Sequence, residues 1–328
     1  MMGLAIDVAD PALEARIRSC VDETERQLAA AVDSPEAFVA EAAAHLLNAG
    51  GKRFRPLLVA LCAEFGDPAA PDIVPSAVVV ELTHLATLYH DDVMDEADKR
   101  RGADSANARW DNTLAILVGD YLFAQASDIV STLGTEAVRI QARTFSRLVR
   151  GQIRETIGPG DADPLTHYLD VVSDKTGSLI ATSARFGAMM SAAPSEVEQA
   201  LTEFGERIGA AFQLSDDILD IASESDASGK TPGTDLREGV PTLPVLLALR
   251  STDPEDARLQ ELLSRPLTDD TEHAEALAAL RVHPAMDQAR AHVQGEADAA
   301  RDLLDKLPEI PAREALRQLC DTVATRLS

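Results

Sequence analysis

In the stretch Tyr89-His90-Asp91-Asp92-Val93-Met94-Asp95-Glu96-Ala97-Asp98-Lys99-Arg100-Arg101-Gly102, several carboxylates stand beside a pair of arginines. If the stretch is helical, at about 100° per residue, Asp91 and Asp95 lie one turn apart on one face with Asp92 beside them. Three carboxylates in so narrow an arc repel one another. A folded chain tolerates that where the face is wet or holds cations. Further along, Ser215-Asp216-Asp217-Ile218-Leu219-Asp220 repeats the Asp-Asp-x-x-Asp spacing, flanked by the apolar Ile218, Leu219 and Ile221. Apolar neighbours imply that both helices are largely buried, and buried carboxylates need partners. One such cluster alone reads as a solvated face; two point to a shared site filled by metal.

Oxygen ligands suit magnesium or calcium better than zinc or copper. Neither acidic stretch has the Asp-x-Asp-x-Asp-Gly spacing of a calcium loop. Magnesium usually binds a few carboxylates together with a substrate phosphate. The arginines after the first cluster fit that partner, because arginine pairs phosphate oxygens bidentately.

The 328 residues are 45% apolar and only 4% aromatic, with abundant alanine and leucine, a composition that favours helix. A net charge of −25 argues against nucleic acid and anionic membrane surfaces as partners. Cys20, Cys62 and Cys320 stand far apart with no Cys-x-x-Cys pair, so the reading is incidental thiols in a reducing cytoplasm. No signal peptide and no membrane span are expected.

Helical spacing covers residues 11–32. A second helix starts from the capping run Asp33-Ser34-Pro35-Glu36 and stops at Gly50-Gly51. Gly51-Lys52-Arg53-Phe54-Arg55-Pro56 then places three cations after a glycine pair and before an apolar helix, the composition of an anion clamp in an acidic chain. The next helix carries Glu81-Leu82-Thr83-His84. A lone helical histidine is commonly structural, but His84 stands two turns before Asp91 on roughly the same face, which suits a phosphate donor. Continuous helices are expected over 107–133, 136–157, 164–190 and 195–221, a polar loop over 223–235, and shorter helices to the end. Sustained strand alternation and glycine- or serine-rich linkers are both missing. The expectation is one all-α domain over residues 1–328.

These residues resemble the trans-isoprenyl diphosphate synthase (polyprenyl synthetase) family. The resemblance rests on Gly50 to Pro56, Glu81 to His84, the two aspartate-rich segments with Arg100-Arg101-Gly102, Lys175-Thr176-Gly177, Phe212-Gln213, and Gly229-Lys230 with Gly233 to Leu236. It implies a single antiparallel helical bundle around a deep central cavity, a homodimer, and head-to-tail condensation of isopentenyl diphosphate with an allylic diphosphate. By position in these motifs, Asp91, Asp95 and Asp216 would bind three magnesium ions, with Asp92, Asp217 and Asp220 assisting. Arg100, Lys175, Thr176, Gln213 and Lys230 would hold the allylic diphosphate; Lys52, Arg55, His84 and Arg101 would hold isopentenyl diphosphate. Within that assignment Asp91, Asp95, Arg100, Lys175 and Asp216 are the catalytic set. Val240 departs from the lysine many members carry there, which weakens one diphosphate contact.

Thr83, Ala86 and Thr87 precede the first aspartate segment, where short-chain relatives often carry aromatics that floor the cavity. Small residues here imply a long product, roughly C30 to C50. A short-chain synthase, a class I terpene cyclase and a regulatory subunit are the competing readings. The repeated aspartate segment argues against the cyclase, and the intact aspartates against the subunit.

Overall fold

The computed structural model describes residues 10–223 and 232–326. In chain order the helices are α1 (Pro11–Ala31), α2 (Ala37–Asn48), α3 (Phe54–Ala63), α4 (Ile73–Met94), α5 (Ala106–Arg109), α6 (Asn112–Thr132), α7 (Thr135–Ile157), α8 (Pro164–Val172) and α9 (Ser178–Met190). They continue as α10 (Ser195–Ala222), α11 (Thr234–Glu238), α12 (Leu243–Leu249), α13 (Ala257–Leu263), α14 (Asp270–Val282), α15 (Pro284–Leu304) and α16 (Pro311–Thr325). Among the described residues the only strands are β1 (Lys99–Arg100) and β2 (Ala103–Asp104), an antiparallel ribbon pairing Lys99 with Asp104 and Arg100 with Ala103. The all-α expectation holds.

Several boundaries differ from the sequence reading for local reasons. The helix expected over 107–133 is two. Trp110 leaves helical geometry at φ −120°, and the Asp111 carboxylate caps a new helix by accepting from Leu114 N at 2.9 Å. The helix expected over 164–190 is interrupted by a π-helical turn, Ser173–Gly177. The segment read as polar loop over 223–235 contains the start of α11. Also, α6 is long and apolar enough to cross a membrane by length and composition alone, with 33% of its most apolar window buried. The run of alanine, leucine, isoleucine and valine from Leu114 to Val130 is broken by only Asp120 and Asp128 as charges.

The chain forms two compact units. The first comprises residues 1–146, 179–205 and 306–318; the second comprises 147–178, 206–305 and 319–328. In the first, α4 packs along α6 and against α1 and α3. Its core joins Leu28 of α1 and its C-cap Val32, Ala42 and Leu46 of α2, Leu82, Leu85 and Tyr89 of α4, and Ala115 and Leu122 of α6. Tyr89 is fully buried, donates its hydroxyl to Ala42 O at 2.5 Å and accepts from Leu46 N at 3.2 Å, so it fastens α2 to α4. A Cβ at Gly119 would run into the His90 ring and stand 3.1 Å from Ala86 O, so the glycine lets α6 press on α4 just below the first aspartate segment. In the second unit, α12 packs on α15, α8 and α13.

Tyr89→Phe should destabilise the first unit by about 1–3 kcal/mol, because a buried carbonyl and amide lose their shared partner. A drop in the urea midpoint at unchanged slope checks this.

Candidate functional site

The first aspartate segment closes α4. Buried residues cover most of this helix, but His84, Thr87, Leu88 and Asp91 form a half-exposed stripe along one side. Asp95 is the C-cap, half-exposed, and its amide donates to Asp91 O at 2.8 Å, which keeps the two carboxylates one turn apart. Asp92 points the other way and is fully buried. Its Oδ1 accepts from Arg100 Nε at 2.5 Å, while Oδ2 is buried without a partner. Arg100 also stands 3.6 Å from Asp95, so the arginine expected on diphosphate rests on carboxylates.

The ribbon that carries Arg100 turns back at Arg101 and Gly102, with φ of 54° and 80°. Two positive φ values suit the tight hairpin turn, whose twist matches the strands, though the first is strained for arginine. The guanidinium of Arg101 fixes it by donating to Leu46 O at 3.0 Å and to Gly50 O.

Arg101 thereby joins a group of cations. Arg53, left-handed at φ 48°, opens α3 and is held by Glu25, by Glu81 at 3.2 Å and by Leu47 O at 3.1 Å. Arg55 follows on α3. Burial pulls its guanidinium down to about 10, and its Nε is buried without a partner. Burial also drives His84 well below its ordinary range, with Arg55, Arg101, Arg53 and Arg100 adding to the shift. Glu81, 2% exposed, offsets part of this charge. Carboxylates match Arg53 and Arg100, whereas Arg101 donates to the carbonyls of Leu46 and Gly50 and Arg55 Nε is buried without a hydrogen-bond partner. In a chain of net charge −25, this is a place prepared for an anion. Lys52 is exposed on the preceding loop. Thus Arg55, His84 and Arg101, assigned by sequence to one diphosphate, lie close to Arg100, assigned to the other, and Arg53, missing from the assigned set, organises them.

The second aspartate segment lies near the end of α10, in the other unit. Asp216 is half-exposed and pairs with Arg326 at 2.9 Å; Arg326 also covers the Phe212 ring at 5.0 Å. Asp217 is buried, accepting from Gln213 Nε2 at 2.9 Å and from the Tyr168 hydroxyl. Burial raises its carboxyl to about 6; the hydrogen bonds oppose that rise, and Asp216 and Asp220 add to it. The Asp220 carboxylate accepts the amides of Thr234 and Asp235 at 3.3 and 3.2 Å, capping α11.

Lys175 and Thr176 sit on the π-helical turn, a distortion frequent at functional sites. Asp174 anchors that turn by accepting from Arg147 at 3.0 Å, Arg150 at 2.9 Å and Arg154 at 3.3 Å, all on α7. A Cβ at Gly151 would stand 2.8 Å from Lys175 N, so α7 meets the turn through a glycine. Lys175 pairs with Glu155, and Thr176 donates to Gln213 Oε1 at 3.0 Å. Lys230 lies outside the described residues.

Among the described residues, no three acidic, histidine or cysteine side chains converge at ligand distance. The donors nevertheless fit magnesium, which takes one or two carboxylates and completes its shell with water and phosphate oxygens. Asp91 and Asp95 offer such a pair, and the orphaned Oδ2 of buried Asp92 marks unused acceptor capacity beside them. An open hollow of about 620 Å³ along α1, lined by Pro11, Arg18, Asp22 and Arg26, contains none of these residues.

Of the chain-length positions, Thr87 and Thr83 stand one and two turns below Asp91. Their hydroxyls bond back to His84 O and Val79 O, each at 2.8 Å; Thr87 is half-buried, whereas Thr83 is 1% exposed. Ala86 is placed differently. It is 1% exposed within the core that α4 forms with α2 and α6, about 140° around the helix from Asp91.

The family model described as polyprenyl synthetase matches residues 36–280. A nonaprenyl diphosphate synthase of Mycobacterium tuberculosis is 49% identical over 98% of this chain and 96% of its own length. A solved geranylgeranyl pyrophosphate synthase of Corynebacterium glutamicum, complexed with calcium and isoprenyl diphosphate, matches with a TM-score of 0.88 at 47% identity, covering 97% of this chain and 98% of that one. A decaprenyl diphosphate synthase of Rhodobacter capsulatus matches with a TM-score of 0.88 at 33% identity, covering 97% and 99%.

Inorganic diphosphate without metal should bind the chain, and Arg55→Gln should weaken that binding about 10-fold or more, the loss of one charge-assisted hydrogen bond. Titration calorimetry measures both.

Proposed function

The chain belongs to the polyprenyl synthetase family, and on that premise we propose that it condenses isopentenyl diphosphate head-to-tail with an allylic diphosphate to give a long product, roughly C30 to C50. The observation that carries this reading is the pairing of two kinds of site residue: aspartates at helix ends and an arginine group short of carboxylate partners. A diphosphate bridged by divalent ions answers both.

The reaction breaks the allylic C–O bond, leaving a carbocation and a free diphosphate. The isopentenyl double bond then attacks the cation, and a proton leaves to the released diphosphate. Divalent ions, read here as three magnesium ions, would neutralise charge on the departing diphosphate. Asp91, Asp95 and Asp216 would hold them. In this assignment Arg55, His84, Arg101 and Lys52 seat isopentenyl diphosphate, while Arg100, Lys175, Thr176, Gln213 and Lys230 face the allylic diphosphate. Lys175 and Arg100 now rest on Glu155 and Asp92, so each would exchange a carboxylate for a phosphate oxygen when substrate enters. Apolar walls would keep water from the cation.

Product length follows from the stripe below Asp91. A growing tail would pass Thr87, small and with its hydroxyl turned to His84 O, and would meet the buried Thr83 one turn further on. Ala86, turned into the core, would act indirectly. A C20 product is the competing outcome, since one similar structure is a geranylgeranyl synthase.

The apolar flank of α6, with Ile116 44% and Leu117 56% exposed, fits burial against a second copy, hence a homodimer. Three free cysteines accord with a cytoplasmic location.

Labelled isopentenyl diphosphate with C10, C15 and C20 primers and magnesium should give products of C30 or longer. Chelation should abolish them, and Asp91→Ala and Asp216→Ala should each lower kcat/KM by at least about 100-fold. Sizing that stops at C20 refutes the long-chain part; no condensation at all refutes the whole reading. Thr87→Phe should shorten the product distribution with little loss of stability. Ala86→Phe should instead lower the melting temperature, because overpacking a core costs roughly 1–3 kcal/mol.

A further inference from the structure

A continuous hydrogen-bonded chain runs through the second unit. Thr176 Oγ1 donates to Gln213 Oε1 at 3.0 Å, and Gln213 Nε2 donates to Asp217 Oδ1 at 2.9 Å. The Tyr168 hydroxyl donates to Asp217 Oδ2. Both oxygens of Asp217 are therefore occupied, one from its own helix and one from α8. Burial and the Asp217 charge keep the Tyr168 hydroxyl protonated, so it remains the donor. The backbone amide of Leu243, the first residue of α12, also lies against the phenol oxygen. Tyr168 thus stands where α8, α10 and α12 meet, although no motif in the sequence marks it.

We propose that Tyr168 is a positioning residue for the diphosphate and metal end of this unit: it fixes the Asp217 carboxylate, leaves Asp216 as the open ligand, and ties both to the Lys175–Thr176 turn. The reasoning is geometric. A carboxylate on a helix swings about χ1 and χ2 unless both oxygens are held. Released, Asp217 would turn toward the same face as Asp216 and Asp220 and compete for the same cation. Held, it leaves the half-exposed Asp216, now paired with Arg326, to meet the cation. Gln213 carries the constraint to Thr176, so a ligand at the Lys175–Thr176 turn and a cation at Asp216 meet one preset arrangement. Partners behind a metal ligand commonly change metal affinity by about 10–100-fold when removed.

This inference rests on the family reading above, and the test separates the two. Binding of Mn2+ is followed by electron paramagnetic resonance with and without inorganic diphosphate, on the full-length wild type, Tyr168→Phe, Thr176→Val and the double variant. The expected result is diphosphate-dependent Mn2+ binding in the wild type, weakened about 10-fold by Tyr168→Phe. The two substitutions should combine less than additively, because both break one chain. In turnover, Tyr168→Phe should raise the magnesium requirement and the KM for the allylic diphosphate while leaving the KM for isopentenyl diphosphate unchanged, a split that general loss of structure does not produce. If Tyr168→Phe fails to fold by circular dichroism, Gln213→Met breaks the same chain from within α10 and should show the same split. Wild-type affinity in the folded variant, strict additivity, or equal loss toward both substrates overturns the proposal. Failure of the wild type to bind Mn2+ with diphosphate overturns the proposed function, and this proposal with it.

Discussion

Carboxylates at the C-terminal end of a helix are electrostatically misplaced. The aligned peptide dipoles leave about half a negative charge there, and the last carbonyls lack intrahelical donors. Both aspartate segments occupy such ends: Asp91, Asp92 and Asp95 close α4, and Asp216, Asp217 and Asp220 stand in the last two turns of α10. Each end must therefore be answered by positive charge or by donors. Within each unit the answer is local, Arg100 at the first end and Arg326, Gln213 and Tyr168 at the second. A divalent ion answers the same field more strongly. The fold thus creates a demand for cations at two helix ends, and the neighbouring side chains meet it in a way that a metal and a diphosphate can replace.

The same logic explains the distribution of arginines. Arg53 and Arg100 are tied to carboxylates and shape the site; Arg55 and Arg101 are not, and remain available to an incoming anion. His84 stands among all four and is held neutral by burial and by their charge. An anion arriving there would relieve the repulsion and favour the protonated ring, so binding and protonation at His84 support one another.

Regular features of this architecture were open to sequence reasoning because they depend on short-range patterns. The period of apolar residues gives the helices, the glycine pair gives the stop before α3, and the repeated Asp-Asp-x-x-Asp spacing singles out the two segments. Features set by tertiary packing were not. Nothing near Tyr168 or Arg326 in the chain announces Asp217 or Asp216 as its partner. The π-helical turn depends on three arginines of α7 converging on Asp174, which no periodicity reveals. The break at Trp110 was hidden because Asp111 reads equally well as a surface residue and as a cap. Counting residues back from Asp91 does not show the helical phase, which leaves Thr87 half-buried on the stripe and turns Ala86 and Thr83 inward.

That phase also explains why overall similarity does not fix product length. Proteins of nearly equal identity to this chain carry names that imply different chain lengths. A tail laid along α4 meets a new residue of the stripe once per turn, every 5.4 Å or so of helix, so one bulky side chain closes the path at a definite depth. Most of the remaining helix is buried and bears on stability. On the proposed reading, product length would therefore depend on very few positions, and changing them would leave the aspartates and arginines above untouched. The Thr87 and Thr83 hydroxyls bond to carbonyls of their own helix, which would remove the polarity a hydrocarbon beside them would otherwise meet.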